Sequence, residues 1–195
     1  MNRQKGIRQQ LVKYGRRLSQ AGFIIGSGGN ISVRRKRFIY LKAKNVNMSE
    51  AKQNDYIAFN IDIDTARQNA SLLSSEYRMH ILCYQRRHNI CAIIHTHPAF
   101  CVALSSKINI LKSSDYEILA NIGMRSVRII PYIKPGTSAL ALAVSRVIEK
   151  DNAVILKHHG LICVGRSLEE AFVLTQAIER ASLIYILRKL WNSNS

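Results

Sequence analysis

The chain has 195 residues, of which 47% are hydrophobic and 21% charged, the balance of a folded domain rather than a disordered one. Its 29 Lys and Arg against 12 Asp and Glu leave a formal net charge of +17. No apolar run approaches the ~20 residues of a membrane span, the basic start Met1–Lys5 leads into no signal-peptide stretch, and Cys83, Cys91, Cys101 and Cys163 lack CxxC spacing, which points to free thiols in a reducing cytoplasm.

In chain order, Gln4–Ala21 places Ile7, Leu11, Tyr14 and Leu18 at helical spacing, with Arg8, Lys13, Arg16 and Arg17 mostly off that stripe. This predicts an amphipathic helix with a basic outer face, ended by Gly22. The turn Gly26-Ser27-Gly28-Gly29-Asn30 follows. Ile31–Val33 and Phe38–Leu41 then read as a hairpin whose tip is Arg34-Arg35-Lys36-Arg37. Tyr56–Ile63 reads as a strand. Ser74-Ser75-Glu76 opens a helix to about Arg87, with hydroxyls to cap it, an acid in the first turn and basic residues in the last. Cys91–His95 is a short buried strand, which Pro98 helps to end. Val127–Tyr132 and Ala153–Leu156 are further strands, with a helix over Thr137–Lys150 between them. Ser167-Leu168-Glu169-Glu170 is a capping box that starts a last helix running to Leu190. No repeat or linker divides the chain, so 1–195 reads as one α/β domain.

The chemistry gathers at strand ends. Side chains two apart on a strand share a face, so the imidazoles of His95-Thr96-His97 can converge on one metal ion, a geometry suited to Zn²⁺. The bland alternative is a hydrogen-bonded pair where strand meets loop. Ala153–Gly160 repeats the design with His158 and His159. Neighbours on an extended segment point oppositely, so one of the two is a ligand and the other packs or supports, while Gly160 lets the backbone approach closely. Three histidines leave a fourth position for substrate, as a catalytic zinc requires. Glu76 alone is ordinary capping chemistry; desolvated beside a metal it becomes an acid or base near neutrality. Ser74, Ser75 and the Gly26–Asn30 turn supply hydroxyls and backbone N–H groups, the parts of an anion site.

Gly-Gly-Asn-Ile-Ser, Ser-Ser-Glu, His-Thr-His-Pro and His-His-Gly stand in this order, separated by about 45, 20 and 60 residues. With these motifs the chain resembles the class II aldolase/adducin family of zinc-dependent sugar-phosphate aldolases, from its first helix through its last. The resemblance implies a three-layer α/β/α domain around a mixed, largely antiparallel sheet, and a homotetramer with sites at subunit interfaces. It implies one Zn²⁺ per subunit on His95, His97 and His159, the last because the family's ligand directly precedes the glycine. It makes Glu76 the acid/base residue and Tyr116 an aromatic that protonates or orients the aldehyde half. Gly29, Asn30, Ser74 and Ser75 would hold the phosphate of a sugar-phosphate substrate. The implied reaction is reversible cleavage of a ketose 1-phosphate, of the fuculose-phosphate kind, to dihydroxyacetone phosphate and an aldehyde.

The chain also departs from that pattern. Where the family carries a Ser/Thr-Gly pair after the hairpin, the sequence here is Leu41-Lys42-Ala43-Lys44-Asn45. Asn45 tolerates left-handed backbone, and the Lys44 ammonium can donate to phosphate in place of a hydroxyl, which adds Lys44 to the phosphate set. After Trp191 only Asn192–Ser195 follow, without the longer aromatic-bearing tail frequent in such aldolases. Related 4-epimerases carry aspartate at the position of Glu76, so glutamate favours aldol cleavage; decarboxylation is the other sugar-phosphate reaction open to the family. An adducin-like, non-catalytic interaction domain would be expected to lose ligands, yet all three histidines and Glu76 are present. The net charge is a weaker clue. The skew to 25 Ile against 10 Val, with 13 Asn, resembles AT-rich coding, where basic drift needs no ligand. No nucleic-acid motif accompanies Arg34–Arg37, which reads as a solvated turn rather than a nucleic-acid contact.

Overall fold

In the central strands, neighbouring residues go to opposite cores. Ile93 and Ile94, Val154 and Ile155, and Ile162 and Cys163 alternate between two separate apolar clusters. Strands buried on both faces need helices on both sides, and the chain supplies them. The structure is a computed structural model that describes residues 2–113 and 117–192, without the side chains of 2–4 and 63–65.

Helix α1 (Asn2–Gln20) leads into the hairpin β1 (Asn30–Arg35) and β2 (Phe38–Lys42), then β3 (Tyr56–Asn60), α2 (Ile63–Gln68) and α3 (Tyr77–Arg86). Strand β4 (Ala92–Thr96), α4 (Ala99–Ser105), β5 (Ile110–Lys112) and α5 (Glu117–Asn121) follow. The chain continues through β6 (Ser126–Ile130), α6 (Ser138–Ile148), β7 (Ala153–Leu156), β8 (Gly160–Gly165) and α7 (Leu168–Asn192). One sheet of eight strands runs β3-β2-β1-β4-β8-β7-β6-β5. Only the β6–β7 pair is parallel among the described residues. Helices α1, α4, α5 and α7 pack on one face and α2, α3 and α6 on the other. This is the expected three-layer α/β/α domain with a largely antiparallel mixed sheet.

Several boundaries differ from the sequence reading. The strand expected over Tyr56–Ile63 stops at Asn60, whose Oδ1 accepts the Asp62 N–H (3.2 Å), and Ile63 starts a helix instead. A side chain that bonds its own backbone two residues on turns the chain out of the sheet. Strand β8 was not expected: its residues are all buried, so no alternation of apolar and polar marks it. Helix α3 begins after Ser74–Glu76, with Glu76 at its N-cap position making no side-chain cap bond. Its carboxylate is directed elsewhere. Among the described residues no helix is long and apolar enough to cross a membrane, and all four cysteines are free.

Candidate metal centre and active site

His95 lies near the end of β4 and His97 just beyond it, on one side of the chain. Their rings meet edge to face with centroids 4.8 Å apart, and the two Nε2 atoms are 3.1 Å apart. The turn between β7 and β8 brings the third imidazole. In it the N–H of His159 donates to the carbonyl of Leu156 (3.0 Å), and His158 takes left-handed backbone with φ 57°. His158 donates its N–H to Ser105 Oγ (3.0 Å), whereas the His159 ring sits 4.9 Å from His95 and 5.3 Å from His97. Of the two adjacent histidines, His159 therefore joins the cluster. Gly160 makes this possible: a Cβ there would stand 2.2 Å from the Thr96 carbonyl oxygen and 2.8 Å from the His97 ring.

One ligand atom from each of His95, His97 and His159 lies within 4.8 Å of the others. His95 turns Nδ1 to the carbonyl of Leu161 (3.1 Å), which directs its Nε2 into the cluster. Burial pushes the imidazoles of His97 and His159 down, to about 3 and about 4, with the neighbouring His95 adding to it. Both hold free lone pairs at neutral pH. Burial would also lower His95, but the Glu76 carboxylate beside it outweighs that and raises it. Glu76 Oε2 is 3.0 Å from His95 Nε2, and Oε1 is 3.7 Å from His159 Nε2. Burial alone would raise the Glu76 carboxyl; the charge and hydrogen bond of His95, then His159 and Asn30, hold it well below the usual carboxylate range. Glu76 Oε1 and His159 Nδ1 are buried without a hydrogen-bond partner. Three convergent imidazoles and an orphaned carboxylate oxygen fit a divalent metal of the zinc type, the three nitrogens leaving room for substrate.

The residues expected to hold an anion lie on three loops near this cluster. Isolated bridge pairing of Ala43 with Leu73 sets the Lys44–Asn45 turn next to Ser74 and Ser75. Asn45 has φ 60°, the left-handed backbone that an asparagine tolerates. Gly29 has φ 62°, and a Cβ there would approach the His95 carbonyl to 2.7 Å. Ser75, Lys44 and Asn45 are exposed; Ser74 is buried, its Oγ accepting from the Glu76 N–H at 3.4 Å. The carboxamide of Asn30 is engaged inside the protein: Nδ2 donates to Glu76 Oε2 (3.0 Å) and Oδ1 faces His80 Nε2. The Asn30 side chain is thus held by Glu76 and His80 rather than turned toward an anion. Tyr116 lies outside the described residues.

The sequence reading missed Lys42. It is 2% exposed, and its ammonium donates to the carbonyls of Ser27 (2.8 Å) and Val46 (2.7 Å), tying the glycine turn to the Lys44 turn. Burial pushes it down to about 8. Its place gave little signal: Lys42 shares the Tyr40 face of β2 at the very end of the strand, where a lysine is ordinarily solvated.

Residues 9–186 match the family described as Class II Aldolase and Adducin N-terminal domain. The chain belongs to that family. It is 30% identical over 182 residues to an L-fuculose phosphate aldolase of Methanococcus maripaludis, covering 93% of this chain and 97% of that one. It is 31% identical over 184 residues to a 5-deoxy-D-ribulose 1-phosphate aldolase of Bacillus thuringiensis, covering 93% and 85%. The crystal structure of the L-fuculose-1-phosphate aldolase from Thermus thermophilus superposes with a TM-score of 0.87 over 97% of each chain at 24% identity, which shows the shared fold. The chain is thus a class II aldolase, a lyase of a metal-dependent class.

Proposed function

We propose that the protein is a zinc-dependent aldolase that reversibly cleaves a ketose 1-phosphate to dihydroxyacetone phosphate and an aldehyde. The observation that carries this reading is the convergence of His95, His97 and His159 on one point with the Glu76 carboxylate against it. Zinc held by the three imidazoles would supply Lewis acidity toward the hydroxyl and carbonyl oxygens of the substrate. The chain's own residues do the rest. Glu76 Oε2 is anchored by Asn30, which leaves Oε1 to exchange a proton with the three-carbon fragment. Gly29, Asn30 and Lys44 shape the phosphate cradle with Ser74 and Ser75, and the buried Lys42 ammonium sets a positive charge behind it. Tyr116 is proposed to serve the aldehyde half.

Relatives named for fuculose phosphate and for 5-deoxyribulose 1-phosphate support a ketose 1-phosphate with a short deoxygenated tail. A homotetramer acting in the cytoplasm completes the reading. The test is metal analysis followed by a cleavage assay on a panel of ketose 1-phosphates that includes both sugars, coupled to detection of dihydroxyacetone phosphate. About one zinc per chain is expected, with turnover that chelation abolishes and zinc restores. Stoichiometric zinc without cleavage of any substrate would overturn the aldolase and favour epimerisation or decarboxylation.

A further inference from the structure

Along α3 and β1 two periodicities match. Glu76, His80 and Tyr84 are spaced by four on the helix, a rise of about 6 Å per step, and Asn30, Ser32 and Arg34 by two on the strand, a rise of about 6.7 Å. The two rows face each other and are joined rung by rung. Asn30 Nδ2 donates to Glu76 Oε2 at 3.0 Å, and Asn30 Oδ1 meets His80 Nε2. Ser32 Oγ lies 2.7 Å from His80 Nδ1 and 2.9 Å from the Tyr84 hydroxyl, and Arg34 donates to the Tyr84 carbonyl at 2.8 Å. Asn30, Ser32, Glu76, His80 and Tyr84 are all buried, Ser32, His80 and Tyr84 completely.

The direction of this row follows from what each group can do. An ionised carboxylate only accepts, so Asn30 must present its NH₂ to Glu76. Its carbonyl oxygen then faces His80, and Nε2 must carry the imidazole proton. Burial keeps His80 neutral, pushed down to about 3, so Nδ1 is a bare acceptor that takes the Ser32 hydroxyl proton. Ser32 Oγ also lies 2.9 Å from the Tyr84 hydroxyl, which donates to the carbonyls of Ser32 (3.1 Å) and Cys91 (3.4 Å). From Ser32 through His80 and Asn30 the donors point toward Glu76.

We propose that His80 is a positioning residue that, through Nε2–H, locks the Asn30 carboxamide with its NH₂ on Glu76, fixing Oε2 and leaving Oε1 as the one oxygen that moves the proton. The inference rests on the reading of Glu76 as the acid/base residue. His80 lies beneath Asn30 and acts on Glu76 only through it. The lock matters most in the metal-loaded protein. His95 Nε2 would then be committed to the metal, and the Asn30 amide is the other hydrogen bond that Glu76 Oε2 has among the described residues. An Asn30 amide free to flip would turn lone pairs against the carboxylate and release it from its place.

The test combines a spectrum with two variants of the full chain. Nitrogen NMR of protein labelled at histidine should show His80 as the neutral Nε2–H tautomer, with and without zinc, and the Asn30 side-chain protons should exchange slowly. His80→Leu should speed that exchange and lower kcat by about 10- to 100-fold, the size of a small misplacement of a reacting group, while KM and zinc content stay within about twofold. His80→Gln, whose amide can place an N–H where Nε2–H stood, should slow the exchange again and recover kcat to within about fivefold of the wild type. The Nδ1–H tautomer overturns the proposal. So does a His80→Leu protein whose kcat is intact or whose zinc, KM and kcat fall together, or a His80→Gln protein no better than His80→Leu. Tautomer and exchange are read without substrate, so a wild-type chain that cleaves no ketose phosphate defeats the proposed reaction while these two measurements still decide the lock.

Discussion

The two ends of strand β1 are built on opposite terms. At Asn30 the polar groups are buried and converge: Asn30 meets Glu76 and His80, and Glu76 Oε2 meets His95 while its Oε1 has no hydrogen-bond partner. At the other end Arg35, Lys36 and Arg37 are exposed, Lys36 with φ 54°, and they form no ion pair with any described carboxylate. The hairpin tip also borders a hollow of about 890 Å³, lined by Gly6, Ile7 and Gln10 on one side and by Arg35, Phe38 and Tyr40 on the other. Among the described residues no carboxylate, histidine or thiol lines that hollow. Size and charge point to one end of the strand, and reactive geometry to the other. The difference teaches that in this molecule the chemistry follows desolvation and convergence.

The most direct way to break the buried end is to fill the space at Gly160. In Gly160→Ala the added methyl would stand 2.2 Å from the Thr96 oxygen, and a clash with backbone cannot be relieved by turning a side chain. We expect a loss of about 3 kcal/mol of stability or more, read by denaturant unfolding, with zinc content and turnover lost as His159 is pushed from His95 and His97. A variant of wild-type stability that retains its zinc would show the β7–β8 turn to be more yielding than the contact implies.

This end was partly legible from sequence. His95 and His97 could be paired because a strand's period of two is rigid, and His-His-Gly marked a turn that must pass close to another backbone. Choosing His159 over His158 needed the resemblance, because the left-handed backbone of His158 shows only in three dimensions. His80 and Tyr84 went unread because a buried polar row looks like any helical face until the strand opposite it is known. The spacing Glu76-His80-Tyr84 against Asn30-Ser32-Arg34 was there to be seen, but pairing the two rows required knowing that α3 lies over β1. Lys42 escaped for a simpler reason. A lysine at a strand end is ordinarily solvated, and only the two carbonyls turned onto it explain its burial.

Lys42 and Lys44 carry the comparison into the proposed phosphate site, one buried and one exposed. In the free protein the Lys42 ammonium is held at about 8, below the 10.5 of an exposed lysine. Between those values the unfolded chain binds the proton that the folded chain has released, so this group's contribution to stability rises with pH from about 8 to 10.5. Phosphate affinity has the opposite sign, because the neutral amine no longer attracts an anion. KM for a phosphorylated substrate should therefore climb above pH 8 in the wild type. Lys42→Met should raise KM about tenfold at pH 7, equivalent to ~1.4 kcal/mol, and abolish both slopes. Lys44→Ala, which removes a solvated charge, should raise KM by about threefold. An unchanged KM for every phosphorylated substrate would remove Lys44 from the site.

The smallest effect belongs to the hairpin tip, and it sharpens the comparison from the other side. Arg35 is five residues along β1 from Asn30, about 17 Å at strand rise. The Debye length is about 8 Å at physiological ionic strength and about 30 Å at 0.01 M. Replacing Arg35, Lys36 and Arg37 by Gln together should thus leave kcat/KM within about twofold at 0.15 M salt. At 0.01 M the same variant should fall measurably below the wild type, because the field that draws an anionic substrate toward the molecule is then unscreened. The salt dependence is the discriminating feature. A loss that persists at 0.15 M salt cannot come from the field across one subunit, and would place this tip against an active site by assembly of subunits, joining the two ends that a single chain keeps apart.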